Sequence, residues 1–526
     1  MGDSSLPPQG FRIEISGNGI RIDAIDEKGA FYAKQLLNQI LEETEGGTLP
    51  GLLIEDWPDF IQRGYMLDVS RDRVPTMEHL FHLVDYLSLL RYNQLQLYTE
   101  HAFAFGQHEK VWKNASPMTA AEIRQLDQYC RDRHIDLVPN QNSFGHMERW
   151  LKHEEYKHLA ECPEGFEHPI SKKWLPQGSV LKPDEQSLCF IEGLYAELLP
   201  NFSSRQFNIG GDEPWELGWG ASKERVEQEG KHAVYLDFLK ELCKLAEQHG
   251  VEPMCWADVL LENPESMKQL PDNITSVLWG YEADHPFEEQ CAILGKLQRP
   301  FYVAPGDSTW SSFLGRHETM LASVRAAAQN GKTHGASGFL MTHWGDNGHP
   351  QTWPIALPGM IWAGLQCWNG SRTPAELRQA IQNILQDFDG AYSELLHAVG
   401  SFEDLLDIKL TNRSYLASTM LIDRDELLIF NPKPESDHLH AFVERCASTI
   451  QRLDKTSPDT NDMNWLVDEL TLALEMSRWA ATRCLGLDQN ESDRIDLIDR
   501  YRICWLRRSR PGGLEDSLAK LRGLSS

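Results

Sequence analysis

The stretch Asn208-Ile-Gly-Gly-Asp-Glu213 sets two carboxylates side by side behind two glycines. Consecutive strand residues point to opposite faces, so Asp212 and Glu213 can reach one substrate only if a strand ends and the chain turns there. Gly210 and Gly211 supply the backbone freedom for that turn and let a ligand come close. Adjacent carboxylates raise one another's proton affinity, which helps keep one protonated near neutrality. A proton donor beside an anion is suited to general acid–base catalysis.

These acids need a scaffold, and the pattern from about 60 to 390 provides one. Short β-rich runs alternate with amphipathic helical runs. The predicted strands are Gly64–Val69, Gln94–Tyr98, Asp136–Pro139, Gln206–Ile209, Pro253–Trp256, Ser276–Trp279, Phe301–Ala304 and Gly338–Thr342. Eight β-runs followed by helix or loop fit a (β/α)8 barrel, whose active site lies at the C-terminal strand ends. A doubly wound open sheet fits less well, because no Gly-rich dinucleotide loop follows the first strand. The strand ends carry Asp68, Glu100, His146, Asp212-Glu213, Trp256 and Asp258, Trp279 and Tyr281, Asp307 and Trp310, and Trp344 with Asp346. Indoles among carboxylates suit a sugar ring, whose C–H faces stack on aromatics and whose hydroxyls pair with charged groups.

Two further regions flank the barrel. Residues 1–57 read as a small α/β domain, with a hairpin signal at Gly17-Asn-Gly19 and helical spacing after Ala30. Residues 58–395 form the catalytic barrel, and 396–526 have mostly helical spacing. Fold class is therefore α/β: a small N-terminal domain, a central barrel and a helical C-terminal region. The 50 Lys and Arg against 78 Asp and Glu give a net charge of −28. Such a surface disfavours nucleic acid and anionic membranes as partners. No apolar stretch has transmembrane length. The N-terminus lacks a basic start before an apolar run, and the ten cysteines form no CxxC pair. Both features favour a cytoplasmic, reducing compartment.

The Gly-Gly-Asp-Glu stretch resembles the signature of the β-N-acetylhexosaminidases of glycoside hydrolase family 20. The similarity extends to Asp56-Trp-Pro-Asp-Phe60, to Arg63-Gly-Tyr-Met-Leu-Asp-Val-Ser-Arg71, to Trp344-Gly-Asp346 and to the Trp-rich segment from Trp353 to Trp368. It implies a small α/β domain before a (β/α)8 barrel, and exo-removal of terminal β-linked GlcNAc or GalNAc with retention. In this scheme the substrate's own acetamido oxygen attacks C1 to give an oxazolinium intermediate, an exception to two-carboxylate hydrolysis. The resemblance makes Glu213 the general acid and then the base, and Asp212 the partner of the acetamido N–H. It assigns Arg63 to the sugar's outer hydroxyls, Asp346 to O4 and O6, and Trp256, Trp279 and Trp344 to the pocket walls. A relay Glu100–His146–Asp212 would orient Asp212. Tyr302, Tyr281, Asp307 and Trp310 stand as alternative partners of the acetamido oxygen. The sequence departs from the family pattern at Asn140-Gln-Asn142, in place of an acidic stretch, and at Glu100, in place of Asp.

No cofactor or metal is implied. His438-Leu-His440 is the one H-x-H, and it lies in the helical region rather than at a strand end. The D-x-x-D-x-D-x-E pattern of chitinase-type barrels is absent. A non-catalytic sugar-binding barrel is disfavoured by the intact Asp212-Glu213 pair.

Overall fold

The computed structural model of the chain describes residues 6–524, apart from 45–46, 170–171, 388, 422–432, 457–459, 488 and 522–523. The N-terminal unit is a three-stranded antiparallel sheet of β1 (Phe11–Ser16), β2 (Gly19–Ala24) and β3 (Leu52–Asp56), in the order β2-β1-β3. A helix over Glu27–Glu43 covers it, started by Asp26, whose carboxylate accepts from the Gly29 amide. Phe11, Ile13 and Ile15 alternate toward that helix and pack with Tyr32 and with Trp368 of the barrel's last helix.

The central sheet has eight parallel strands: β4 (Gln62–Asp68), β5 (Gln94–Tyr98), β6 (Asp136–Val138), β9 (Gln206–Asn208), β10 (Glu252–Trp256), β11 (Thr275–Trp279), β12 (Phe301–Ala304) and β13 (Gly338–His343). Two short strands, β7 (Phe166–Glu167) and β8 (Trp174–Leu175), form a hairpin between β6 and β9. The barrel closes between β6 and β9 through Asn208 N to Pro139 O and Gln141 N to Asn208 O, both 2.9 Å.

Alternate strand residues fill the barrel. Its lower layers hold amides as well as apolar groups. Gln96 accepts from Asn140 Nδ2 at 3.0 Å and Asn208 Nδ2 at 3.2 Å, and Gln94 donates to Gln206 at 2.8 Å. Asn140 thus belongs to a buried, uncharged network, and an acid there would be desolvated without a counter-charge. Toward the C-terminal ends, Tyr98, Trp256, Trp310 and Trp344 join one apolar cluster with Met66, Met254 and Leu340.

The C-terminal region contains helices over Ser436–Leu453, Asn461–Cys484, Glu491–Arg508 and Leu514–Lys520. It shares the outer core of the barrel and is tied to the loop after β4. Thr76 N donates to Arg508 O and Arg510 N to Val74 O, at 2.9 and 2.8 Å. Arg508 forms a buried pair with Glu469 at 2.6 Å, and Lys520 pairs with Asp72. Among the described residues no helix is long and apolar enough to cross a membrane.

Candidate active site

The turn after β9 brings the two central acids to one side. Gly210 (φ 76°), Gly211 (φ 93°) and Glu213 (φ 48°) all adopt left-handed backbone. A Cβ on Gly210 would lie 2.3 Å from Asn142 Oδ1, so this crossing demands glycine. Tyr235 Oη donates to Gly211 O at 2.8 Å, and Glu213 N donates to Asp258 Oδ2 at 3.2 Å, fixing both ends of the turn.

His146 Nε2 lies 3.1 Å from Asp212 Oδ2 and 3.6 Å from Glu213 Oε2. Burial disfavours the imidazolium, but the adjacent Asp212 carboxylate outweighs it and lifts His146 to about 10. Asp212 Oδ1 is buried and has no hydrogen-bond partner. Glu213 is raised above the usual carboxylate range, first by burial and then by Asp212, against the pull of His146. One acid thus keeps a buried oxygen uncommitted, while its neighbour is biased toward the protonated form. Asp258, behind the pair, is pushed up to about 7 by burial and by Asp212.

A second cluster forms across the mouth. Arg71 follows the C-terminal end of β4. Asp68 accepts from its Nη1 at 3.2 Å and also from Ser70 N and Gly345 N, joining the loops after β4 and β13. Arg71 approaches Glu100 at 3.4 Å and Asp346 at 3.6 Å, and its guanidinium carbon lies 4.7 Å from the Tyr98 ring centre and 5.1 Å from that of Trp344. Burial opposes its charge, but Tyr98, Glu100 and the two aspartates hold it firmly protonated.

The walls between the clusters are aromatic. Trp256 and Trp344 rings lie 5.9 Å apart, Trp279 stacks on Tyr281 at 5.2 Å, and Trp344 Nε1 donates to Tyr281 Oη at 2.9 Å. Met254 and Trp256 share the inward parity of β10, as Val277 and Trp279 do on β11. The site therefore continues the barrel filling as its top layer.

Several expectations need correction. Arg63 is fully buried near the opposite end of β4. It donates to Gln9 Oε1, Tyr32 Oη, Phe60 O and Arg91 O, and sits over Trp368. It joins the N-terminal domain to the barrel and is remote from the acids. Tyr302 points into the barrel floor, with its hydroxyl 3.3 Å from Gln206 at the start of β9. Asp307 turns into the wall, where it accepts from Thr309 and lies 2.5 Å from His343 Nδ1, whose Nε2 meets His349. Trp310 is buried edge-on against Tyr281 at 5.0 Å. The Glu100 leg of the relay is also displaced: Glu100 accepts from Tyr98 Oη at 3.1 Å and faces Arg71. Burial, opposed by Arg71, raises Glu100 to about 7. The structure brings together Asp212, Glu213, His146, Glu100, Trp256, Trp279, Tyr281, Trp344 and Asp346. It adds Arg71 and Tyr98, and it gives the strand-end acids Asp68 and Asp258 supporting contacts there. The signal for Arg71 was its place just past a barrel strand's C-terminal end.

Comparison with known proteins agrees with this architecture. Residues 60–293 match the glycosyl hydrolase family 20 catalytic domain, and residues 1–57 match domain 2 of the same family. The β-hexosaminidase of Porphyromonas gingivalis is 27% identical over 291 residues, which cover 49% of this chain and 37% of that protein. Human hexosaminidase D is 23% identical over 335 residues, covering 59% of this chain and 66% of that protein. The chain thus spans less than two thirds of the length of either relative. The crystal structure of a β-N-acetylhexosaminidase from Bacteroides fragilis has the same fold, with a TM-score of 0.58 at 20% identity over 74% of this chain and 83% of that one. The two matched domains together cover more than half of the sequence, and the chain belongs to glycosyl hydrolase family 20.

Proposed function

We propose that the protein is an exo-β-N-acetylhexosaminidase that removes terminal β-linked GlcNAc or GalNAc with retention through an oxazolinium intermediate. The observation that carries this reading is the division of labour between adjacent acids. Asp212 presents an uncommitted buried oxygen, and Glu213 is biased toward its acid form beside it.

In the proposed reaction the sugar lies between the indoles, with its acetamido group folded toward Asp212. Asp212 Oδ1 accepts the acetamido N–H and stabilises the positive charge that develops on nitrogen as the amide oxygen attacks C1. The C1–O bond to the aglycone breaks, and Glu213 gives its proton to the departing oxygen. Glu213, now a carboxylate, then takes a proton from water as that water attacks C1. The oxazolinium C1–O bond breaks, and the acetamide is restored. His146 keeps Asp212 oriented throughout.

We assign the acetamido oxygen contact to Tyr281. Trp344 donates to its hydroxyl oxygen, which leaves the tyrosine O–H as the donor this group can offer a substrate oxygen. The other three sequence candidates face the barrel floor or wall. We assign the outer hydroxyls to Arg71, Glu100 and Asp346, which cap the pocket opposite the reacting carbon. Such a cap rejects a chain extended from those hydroxyls, because it would leave charged groups unpaired. Early digestion of a chitin oligomer should therefore release monosaccharide alone; early internal disaccharide would refute the exo assignment.

A further inference from the structure

A second pocket, of about 310 Å³, lies on the other side of the same two loops. Along the loop after β4, Arg71 faces the sugar site while Ser70 and Asp72 line this pocket. Along the loop after β5, Glu100 faces the sugar site while His101 lines it. The C-terminal region closes it with Gly513 and Asp516. A volume of this order accommodates a sugar- or phosphate-sized ligand.

The charge of the pocket is opposite to that of the protein. Its lining carries Lys110, Lys113, Arg149 and Lys152 against Asp72 and Asp516, in a chain of net charge −28. The two acids offset only Arg149. Asp72 is already paired with both Arg149 and Lys520, and Asp516 is 3.8 Å from Arg149. Lys110 is occupied by Glu155 at 2.8 Å. Lys113 and Lys152 have no carboxylate within ion-pair distance among the described residues. Two imidazoles complete the lining. His101 is 5% exposed and its Nδ1 has no hydrogen-bond partner; His153 Nε2 likewise has none. Burial and the neighbouring cations lower the proton affinity of Lys152, His101 and His153, with His101 brought to about 3. A neutral imidazole can still donate an N–H to an anion. Lys113 and Lys152, two like charges beside one concave site without matching acids, are the arrangement that an anion would relieve.

We propose that this pocket binds a small oxyanion-bearing ligand through Lys113 and Lys152, with His101 as a neutral donor. The shared chemistry is a phosphate, sulfate or carboxylate group. It can arrive as a free inorganic ion or on a sugar.

Calorimetric titration of the full chain with inorganic phosphate, inorganic sulfate, glucuronate and glucose 6-phosphate tests the site. Saturating N-acetylglucosamine is present to occupy the sugar pocket. At least one of the four should bind saturably, and more weakly as sodium chloride is raised. Lys113→Ala/Lys152→Ala should weaken that binding by about tenfold or more. Both lysines are exposed, and the ligand-free melting midpoint checks that the variant is folded. Binding by the inorganic ions assigns the site to a free ion; binding by the sugars alone assigns it to a sugar-borne group. No binding by any probe overturns the proposal. So does equal binding by the double variant, or by Lys113→Gln/Lys152→Gln if the alanine variant does not fold. Loss of binding when N-acetylglucosamine is added would place the anion in the sugar pocket and also overturn it. None of these readings depends on turnover, so the site stands or falls separately from the proposed glycosidase activity.

Discussion

Arg63 and Arg71 flank one barrel strand, and substituting each should have opposite consequences. Arg71 reaches the pocket with Glu100 and Asp346, whereas Arg63 is sealed between the N-terminal domain and the barrel. A hydrogen bond from a charged donor contributes about 1.5–3 kcal/mol. Two such bonds to sugar hydroxyls, lost in Arg71→Ala, remove about 3–6 kcal/mol of transition-state stabilisation, or roughly 10²- to 10⁴-fold in kcat/KM. The loss should be similar for good and poor leaving groups, because these bonds are made away from the scissile oxygen. Arg63→Met should behave differently. It strands buried acceptors on Gln9, Phe60 and Arg91, each costing about 1–3 kcal/mol. The melting midpoint should fall by several degrees, while kcat/KM per folded molecule stays near that of the parent. Steady-state kinetics on an aryl N-acetyl-β-glucosaminide, paired with thermal melts, separate the two. A folded Arg63→Met protein with collapsed kcat/KM, or an Arg71→Ala protein with full activity, would refute the assignment.

Two further predictions concern the acids and their histidine. Glu213→Gln should lose roughly 10²- to 10⁴-fold on natural glycosides. Substrates whose leaving group departs without a proton should suffer less in the first step, and equal losses across leaving groups would count against Glu213 as the acid. His146 holds its proton to about pH 10 in the folded chain, against an ordinary value of 6.5. The folded state therefore binds more protons than the unfolded one between these values, and its stability from this group is full below about 6.5 and disappears as pH rises toward 10. Denaturant titrations of the parent and His146→Gln should show a stability difference that shrinks across that window; a pH-independent difference would contradict the ion pair.

The barrel was legible because its signals are redundant. Eight runs of β-branched and aromatic residues fell between helical stretches, and all eight appear as strands of one sheet. Their place at C-terminal strand ends located Trp256 and Trp279, and in the fold both pack in the barrel's inner cluster. The misplacements share a physical cause. Seven residues at about 3.3 Å each separate the ends of β4 by roughly 20 Å, so Arg63 and Arg71 cannot serve one site. The motif alone did not choose between them, but the rule that chemistry sits at C-terminal strand ends favoured Arg71. Tyr302 fails by the same rule, because the second residue of a strand points into the floor. Asp307 and Glu100 were correctly placed near strand ends, yet their partners depend on loop paths that no local pattern encodes. His343 claims Asp307, and Tyr98 with Arg71 claims Glu100. The second pocket was illegible for another reason. Its cations come from segments near 110, 113, 149 and 152, whose proximity to Gly513 exists only after folding.

In the proposed mechanism the substrate's acetamido oxygen, poised by Asp212, is the nucleophile. This role is tested most directly by kcat/KM for a series of aryl glycosides with zero, one, two and three fluorines on the acetyl methyl group. Each fluorine withdraws electron density from the amide oxygen and weakens its attack on C1. The rate should fall steeply and progressively along the series. A flat series would show that the amide oxygen takes no part in the slow step and would contradict the mechanism.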